Sequence, residues 1–261
     1  MHALKLILAF LKINIQQVLA YRADAALSLV MNLIWLGWEL ISLQIIFNNT
    51  SSLSGWSMGD LLALLGVWRL ANFLMSSLIW PNTNRFNQAV RTGSFDYDLL
   101  QPVSSQFLVT FSRITIWRMW ELLIASLLIV VGVGMAGRTV TAGGLLTFLA
   151  LVLSGMMVLY SLWIVLIAFT FWFVKFDNNV TILQALMDAG RYPANIYPPW
   201  LRFVITFIIP IAVATTVPLQ GLRGDLAVGQ TVGFVGVGVV CLFLSSRVWK
   251  AGVRRYSSAS S

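Results

Sequence analysis

Long apolar runs divide the chain, and five of them have the length of a membrane-spanning helix. They cover residues 25–47, 61–80, 114–136, 145–174 and 226–246. A helix needs about 20 mostly apolar residues to cross the hydrocarbon core of a bilayer, which is about 30 Å thick. In lipid the backbone must satisfy its own hydrogen bonds, so such runs form helices. The pattern therefore predicts five transmembrane helices.

The region between the last two runs, residues 176–223, is also apolar but is interrupted by prolines. These are Pro193, Pro198, Pro199, Pro210 and Pro218. Proline removes a backbone donor and kinks or breaks a helix. Either residues 179–190 begin a fifth span and the proline-rich part is re-entrant, or residues 201–219 form that span with a kink at Pro210. Both arrangements give six spans, and both place this segment against other helices, because broken backbone at membrane depth must be buried in protein or line a wet cavity.

An amphipathic pattern precedes the first apolar run, in residues 1–22. On a helical wheel Lys5 and Lys12 fall on one face, whereas Leu11 and Ile15 fall on the opposite face. This pattern is typical of a helix that lies in the membrane interface. We predict an uncleaved interfacial helix that leads into the first span.

The composition supports a membrane protein. Mean hydropathy is +0.85, and only 10% of the residues are charged, compared with about 25% in soluble domains. We therefore predict an all-α membrane protein in which residues 1–261 form a single transmembrane domain with six spanning helices.

The basic residues predict the orientation, because cytoplasmic loops accumulate Lys and Arg. One side of the predicted topology carries Lys5, Lys12, Arg22, Arg85, Arg91, Lys175, Arg247, Lys250, Arg254 and Arg255. We expect this side to face the cytoplasm, with both termini there, in the inner (plasma) membrane. The net charge of +8 is then a mark of topology and of contact with anionic lipids, and we expect no binding of nucleic acid.

Ionisable residues inside the apolar runs are costly and usually face a cavity or a partner charge. Arg118 and Glu121 are three residues apart and are expected to neutralise each other. For Glu39 and Arg69 we hypothesise an ion pair between spans one and two; the alternative is that each reaches the interface or meets another subunit. We predict a translocation pathway lined by spans one, two and five. Its candidate residues are Glu39, Arg69, Pro193, Pro198, Pro199 and Pro210.

The predicted loop between spans two and three, residues 81–104, is longer than most connections and carries a pattern of its own. Thr83 is placed to cap a short helix, and Gly93 is placed to end it. We predict an amphipathic helix parallel to the membrane, with its polar face toward the cytoplasm. The residues expected to contribute contacts are Arg85, Phe86, Val90, Arg91, Gly93, Phe95, Asp96, Asp98, Leu99, Leu100 and Pro102.

The last apolar run contains four glycines. They are Gly229, Gly233, Gly236 and Gly238. Small residues allow helices in a membrane to approach closely. We expect this run to pack tightly against other helices.

Several motifs, in this order, resemble the permease subunits of ABC-2 type ABC transporters, and more closely the branch with paired, non-identical permeases. They are the loop RTGSFDYDLLQP, the segment RYPANIYPPW followed by Pro210, and the closing WKAGVRRYSS. The resemblance covers the whole chain. One departure is Gln101, where a basic residue before the proline is expected in relatives.

This resemblance implies a function in which the chain works with partners. The loop after span two would be the coupling helix that docks on a cytoplasmic ABC ATPase. ATP and magnesium would be bound by that ATPase, and a second permease would complete the pathway. The implied activity is ATP-driven export of an amphipathic substrate.

The chain itself offers little material for chemistry. It contains no G-x-x-x-x-G-K-[ST] loop for ATP phosphates, and it has one histidine and one cysteine, which is too few for a histidine-based catalytic or metal site. We therefore expect no enzymatic activity, no metal and no cofactor in this chain. The alternatives are a secondary transporter, whose repeated halves are not evident, and an intramembrane lipid-modifying enzyme.

Overall fold

The computed structural model describes residues 22–115, 118–173 and 179–256. The predicted interfacial helix of residues 1–22 lies outside this part of the chain, apart from Arg22. Within it, regular structure is helical and no β-strand is present; Leu53 and Trp56 form an isolated bridge. The prediction of an all-α membrane protein is confirmed.

Short connections join the described helices. They are α1 (Arg22–Asn49), α2 (Met58–Leu74), α3 (Trp80–Thr92), α4 (Phe95–Leu99), α5 (Ser105–Phe111), α6 (Met119–Met135), α7 (Ala142–Ala168), α8 (Asn179–Ala189), α9 (Pro199–Phe203), α10 (Ile211–Ala214), α11 (Thr216–Arg223) and α12 (Val228–Arg255). Two π-helical turns, Met75–Ile79 and Val204–Ile208, join α2 to α3 and extend α9.

Four described helices are long and apolar enough to cross a membrane. They are Ala26–Asn49, Met58–Thr92, Ala142–Phe171 and Val228–Arg255. They correspond to the predicted spans one, two, four and six. The predicted third span is the shorter α6, and the predicted fifth span is divided among α8 to α11. Helix length alone therefore accounts for four crossings.

The second span does not end where the sequence predicts. Helix Met58–Thr92 runs through Pro81, which is the second residue of α3 and has no backbone N–H to donate to the preceding turn. The π turn Met75–Ile79 precedes this proline and absorbs the changed hydrogen bonding. Thr83 is accordingly not a cap: it is buried, and its hydroxyl donates to the Ile79 carbonyl oxygen at 2.7 Å. The predicted loop thus begins as a direct extension of the span.

Glycines determine the closest helix contacts. At Gly59 an added Cβ would lie 2.6 Å from the Gly132 carbonyl oxygen, so α2 and α6 cross backbone to backbone. Gly155 of α7 is similarly close to Ala214 of α10, and Gly238 of α12 is close to Ser154 of α7. Only Gly238 behaves as predicted for the last run. A Cβ at Gly229, Gly233 or Gly236 would meet no described residue within 4 Å.

The bundle has two distinct ends, which we name after the tryptophans buried there. At the Trp56 end, Ser57 and Asp60 form a capping box at the start of α2. The Asp60 carboxylate accepts a hydrogen bond from Arg138 Nε at 3.0 Å. Arg223 lies over the Trp56 ring, with its guanidinium carbon 4.5 Å from the ring centroid. The connections after α1, α6 and α11 therefore meet at one end.

At the Trp249 end, five aromatic residues from distant parts of the chain form one cluster, which we call the aromatic cluster. Its members are Phe86, Phe95, Phe171, Trp249 and Tyr256. Centroid distances between neighbouring rings are 5.3 to 5.4 Å for Phe86 with Phe95 and with Trp249. The loop after span two, the end of α7 and the end of α12 therefore meet at the opposite end from Trp56.

Candidate functional site

A buried ion pair joins α1 to α2 near the middle of the bundle. Arg69 Nε donates to Glu39 Oε2 at 3.0 Å, and its Nη1 donates to Asn32 Oδ1 at 2.8 Å. Both charged side chains are 8% exposed. The hypothesis that these residues pair is confirmed. Among the described residues α1 makes few other contacts with the bundle, so this polar cluster is its main attachment there.

A third charge reaches the same cluster from the proline-rich segment. Arg191 Nη2 lies 3.4 Å from Glu39 Oε1, and its guanidinium carbon lies 5.5 Å from the centroid of the Trp68 ring. Trp68 Nε1 donates to the Met187 carbonyl oxygen at 2.8 Å. These contacts fix the end of α8 against α2, as expected for broken backbone at membrane depth.

The second predicted pair lies farther along α2, toward the Trp249 end. Arg118 Nη1 donates to Glu121 Oε1 at 2.7 Å, which confirms their predicted interaction. Ser76 Oγ donates to Glu121 Oε2 at 2.9 Å. Ser76 belongs to the π turn of the second span, so the turn brings a hydroxyl to a carboxylate that is 6% exposed.

These polar groups surround one cavity of about 440 Å³, which we call the charged cavity. Its ionisable lining residues are Glu39, Arg69, Arg118, Glu121, Asp188 and Arg191, three of each sign. Three tryptophans, Trp35, Trp68 and Trp80, also line it. At a rise of 1.5 Å per residue, Arg69 lies about 16 Å along the helix from Met58 and about 16 Å from Trp80. The cavity therefore extends from the middle of the second span toward the Trp249 end.

The candidate pathway residues divide into two groups. Glu39 and Arg69 line the charged cavity, whereas none of the four prolines assigned to the pathway is among its described lining residues. Pro193 precedes a short helical turn, Pro198 precedes α9, Pro199 begins α9, and Pro210 precedes α10. The prolines shape the segment, and Gln184, Asp188 and Arg191 supply its polar groups to the cavity. The sequence signal that was missed is the presence of an acidic and a basic residue, Asp188 and Arg191, three positions apart at the end of an apolar segment.

The structure places the predicted coupling residues at the Trp249 end, but in two different environments. Phe86 and Phe95 are fully buried in the aromatic cluster. Leu99 and Leu100 are 38% and 81% exposed, and beside them Tyr97, which the sequence analysis did not select, is 71% exposed. Among the other predicted coupling residues, Arg91 and Pro102 are exposed, whereas Val90 and Asp96 are half-buried.

Local geometry explains how this segment turns. Gly93 ends α3 with φ 73°, the left-handed conformation predicted for it. Arg85 Nη2 then donates to both carboxylate oxygens of Asp98, at 2.8 and 3.0 Å. The pair holds α4 back against α3, so the chain folds as a compact unit rather than a solvated loop.

Asn82 was missed by the sequence reasoning, yet it holds this unit to the bundle. It is 1% exposed, and its Nδ2 lies 2.9 Å from the Thr110 carbonyl oxygen and 2.6 Å from that of Arg113. Its Oδ1 accepts hydrogen bonds from Ser112 Oγ and Arg113 N, each at 3.0 Å. The amide therefore joins the second span to the end of α5. The only sequence signal was a polar residue next to Pro81.

The comparison with known families gives one match. A family model described as ABC-2 family transporter protein matches residues 33–260, which is most of the chain. The chain belongs to this family. It is an ABC transporter permease, a multi-pass membrane protein, and the resemblance drawn from its motifs is confirmed.

Family membership settles the broad role of this ABC-2 permease. The family is the membrane component of a transport system, and association with ABC ATPase subunits is implied. Neither the curated proteins nor the solved structures yielded a match.

Proposed function

We propose that this chain is one permease of an ABC exporter for an amphipathic substrate. It forms the pathway with a second permease, and separate ATPase subunits bind ATP and Mg²⁺. The observation that carries the proposal is an exposed apolar surface, Tyr97 with Leu99 and Leu100, on a folded unit at the Trp249 end. Its family supplies an ABC ATPase as the partner for such a surface.

The proposed topology has six crossings. α6 contains 17 residues and is about 25 Å long, which nearly matches the hydrocarbon core. The fifth crossing is discontinuous. The end of α8 contacts Trp68 near the middle of the second span. α10 then packs against Gly155 of α7, and α11 ends at Arg223, which lies at the Trp56 end. α7 ends at the Trp249 end and α12 begins at the Trp56 end, so the chain between them must cross once, which makes six crossings in total.

The Trp249 end faces the cytoplasm in this proposal. Its described basic residues include Arg85, Arg91, Arg247, Lys250, Arg254 and Arg255. At the Trp56 end, Arg138 and Arg223 are bound to Asp60 and Asp225 respectively. Basic residues collect on the cytoplasmic side, so the predicted orientation agrees with the ends that the fold defines.

The structure changes which residues are expected to touch the ATPase. A docking anchor must reach the surface, whereas Phe86 and Phe95 contact Trp249 and Tyr256 of the same chain. We therefore place the anchor at Tyr97 and Leu100, with Asp96 and Arg91 at its rim. The two phenylalanines become the internal support that connects this surface to α7 and α12.

Removal of the anchor is expected to release the ATPase. Tyr97→Ala with Leu100→Ala should weaken ATPase association by at least about 30-fold, because truncation of an interface anchor costs about 2 kcal/mol or more. Co-purification of the ATPase with the tagged permease measures this. The permease should still insert and remain monodisperse, since both side chains are exposed. Unchanged co-purification would contradict this docking surface.

Gly93 provides a second test, with a matched control at the opposite end. Gly93 and Gly137 have φ of 73° and 65°, and an L-residue in this region costs about 1–2 kcal/mol. Gly93→Val and Gly137→Val should therefore lower thermal stability similarly. Only Gly93→Val should reduce ATP hydrolysis by the assembled transporter, because only Gly93 lies beside the docking surface. Equal loss of hydrolysis in both variants would contradict the proposal.

Dependence on an ATPase also separates this proposal from secondary transport. The purified permease alone, reconstituted in vesicles, should move no substrate under a proton or sodium gradient. Transport should require the ATPase subunits and ATP. Transport by the isolated chain would overturn the proposed function.

A further inference from the structure

The charged cavity contains groups of both signs whose binding capacity is only partly used among the described residues. The Asp188 carboxylate is exposed and accepts a hydrogen bond from Gln184 Nε2 at 2.9 Å, but it has no ion pair among the described residues. Arg191 has a 3.4 Å contact with Glu39, whose carboxylate is already bound by Arg69. Asp188 and Arg191, an anion and a cation three positions apart, therefore keep donor and acceptor capacity for a ligand, because Asp188 has no described ion pair and Arg191 has only a 3.4 Å contact.

Two buried polar atoms of the lining residues also have no partner in the described part of the chain. They are Trp80 Nε1, a donor, and Gln184 Oε1, an acceptor. Buried polar groups in proteins are nearly always hydrogen-bonded, and exceptions call for a ligand, a water or an ion. The cavity therefore offers a ligand one unpaired donor and one unpaired acceptor among its described residues, in addition to one cation and one anion.

The surroundings favour an amphiphile over a small water-soluble molecule. The cavity volume of about 440 Å³ lies within the range of small-ligand sites. Trp35 lines the cavity and is 61% exposed. Met31 and Trp38 are spaced with it on the same face of α1 and are 48% and 65% exposed. A polar head in the cavity would therefore place an acyl chain along an apolar face of α1.

We propose that the charged cavity binds the zwitterionic headgroup of an amphiphile, with its amine at Asp188 and its phosphate or carboxylate at Arg191. This inference rests on the proposed transport function, because it names the substrate class for the same pathway. The equal number of acidic and basic lining residues disfavours a headgroup that carries a single charge. The headgroup can belong to transported cargo or to a resident bilayer lipid, and the experiment separates these sources.

The test measures which lipid the intact permease–ATPase complex retains. The detergent-solubilised complex is incubated with equal amounts of phosphatidylethanolamine, phosphatidylglycerol and a cationic diacyl lipid with the same acyl chains. Bound lipids are counted by native mass spectrometry. The wild-type complex should retain phosphatidylethanolamine at least about tenfold over either singly charged lipid, a difference of about 1.4 kcal/mol.

Single-charge variants should change the preference in opposite directions. Asp188→Asn should shift retention toward phosphatidylglycerol, and Arg191→Gln should shift it toward the cationic lipid. The controls are Asp225→Asn and Arg202→Gln, which neutralise exposed charges outside the lining of the cavity and should leave the ratio unchanged. A purely structural role of Asp188 and Arg191 would not give opposite shifts.

Equal retention of the three lipids by the wild type would overturn the proposal, and so would shifts of both variants in one direction. ATP hydrolysis distinguishes the two sources of the headgroup. Cargo should stimulate hydrolysis in the wild type and not in Asp188→Asn, whereas a resident lipid should bind without stimulation; either result supports the headgroup site. If no ATPase co-purifies, the proposed function fails, and the lipid counts on the permease alone still decide the headgroup site.

Discussion

Gly132→Leu is expected to prevent the folding of the bundle. A Cβ at Gly132 would lie 2.6 Å from the Gly59 carbonyl oxygen, and the opposing atoms belong to backbone that cannot rotate away. Overpacking of a well-packed interior costs typically about 1–3 kcal/mol, and a clash with backbone falls at the upper end or beyond it. We expect little monodisperse protein in detergent and a strongly reduced yield in the membrane.

Gly134→Leu is the matched control, because it places the same side chain two residues farther along α6. A Cβ at Gly134 would have no described neighbour within 4 Å. This variant should therefore be recovered in near wild-type amounts. If the two leucine variants behave alike, the close crossing of α2 and α6 is not the contact that organises the bundle.

Arg69→Met is expected to be the most damaging change at the charged cavity. Among the described residues, it leaves the Glu39 carboxylate, 8% exposed, with only the 3.4 Å contact to Arg191. Removal of one partner from a buried ion pair costs about 3–5 kcal/mol. The thermal unfolding temperature should fall sharply, and α1 should become accessible to protease, because this pair is its main attachment at membrane depth.

A second substitution tests whether the lost stability is electrostatic. Adding Glu39→Leu to Arg69→Met removes the unpaired carboxylate and should restore more than half of the lost stability, since replacing a buried pair with apolar groups is often neutral. Glu39→Leu alone should be destabilising, because it leaves Arg69 unpaired. If the double variant is no more stable than Arg69→Met, the residues contribute through packing rather than charge.

Local patterns in the sequence were reliable where the physical cause was local. The left-handed turn at Gly93 and the Arg118–Glu121 pair each depend on residues within a few positions. The Glu39–Arg69 pair was also accessible, because unpaired charges in neighbouring spans have few other partners in lipid. Long apolar runs identified the four long helices for the same reason.

Predictions that required knowledge of a neighbour were less successful. The apolar side of the segment after span two was recognised, but the partner of Phe86 and Phe95 was expected to be another protein. Their partners are Phe171 and Trp249, which lie far away in the chain. Likewise, Gly233 and Gly238 are indistinguishable in the sequence, although only Gly238 has a close neighbour among the described residues.

The sequence by itself determined that this chain is a helical membrane protein, where its long spans lie and which residues carry charge into the membrane. These properties follow from hydrophobicity and backbone hydrogen bonding, which act along one segment at a time. Only the tertiary structure decided that Asp188 and Arg191 join Glu39 and Arg69 around one cavity. That arrangement depends on how α8 ends against Trp68, a contact across 119 positions of the chain, and no local pattern specifies which distant surface a broken helix will meet.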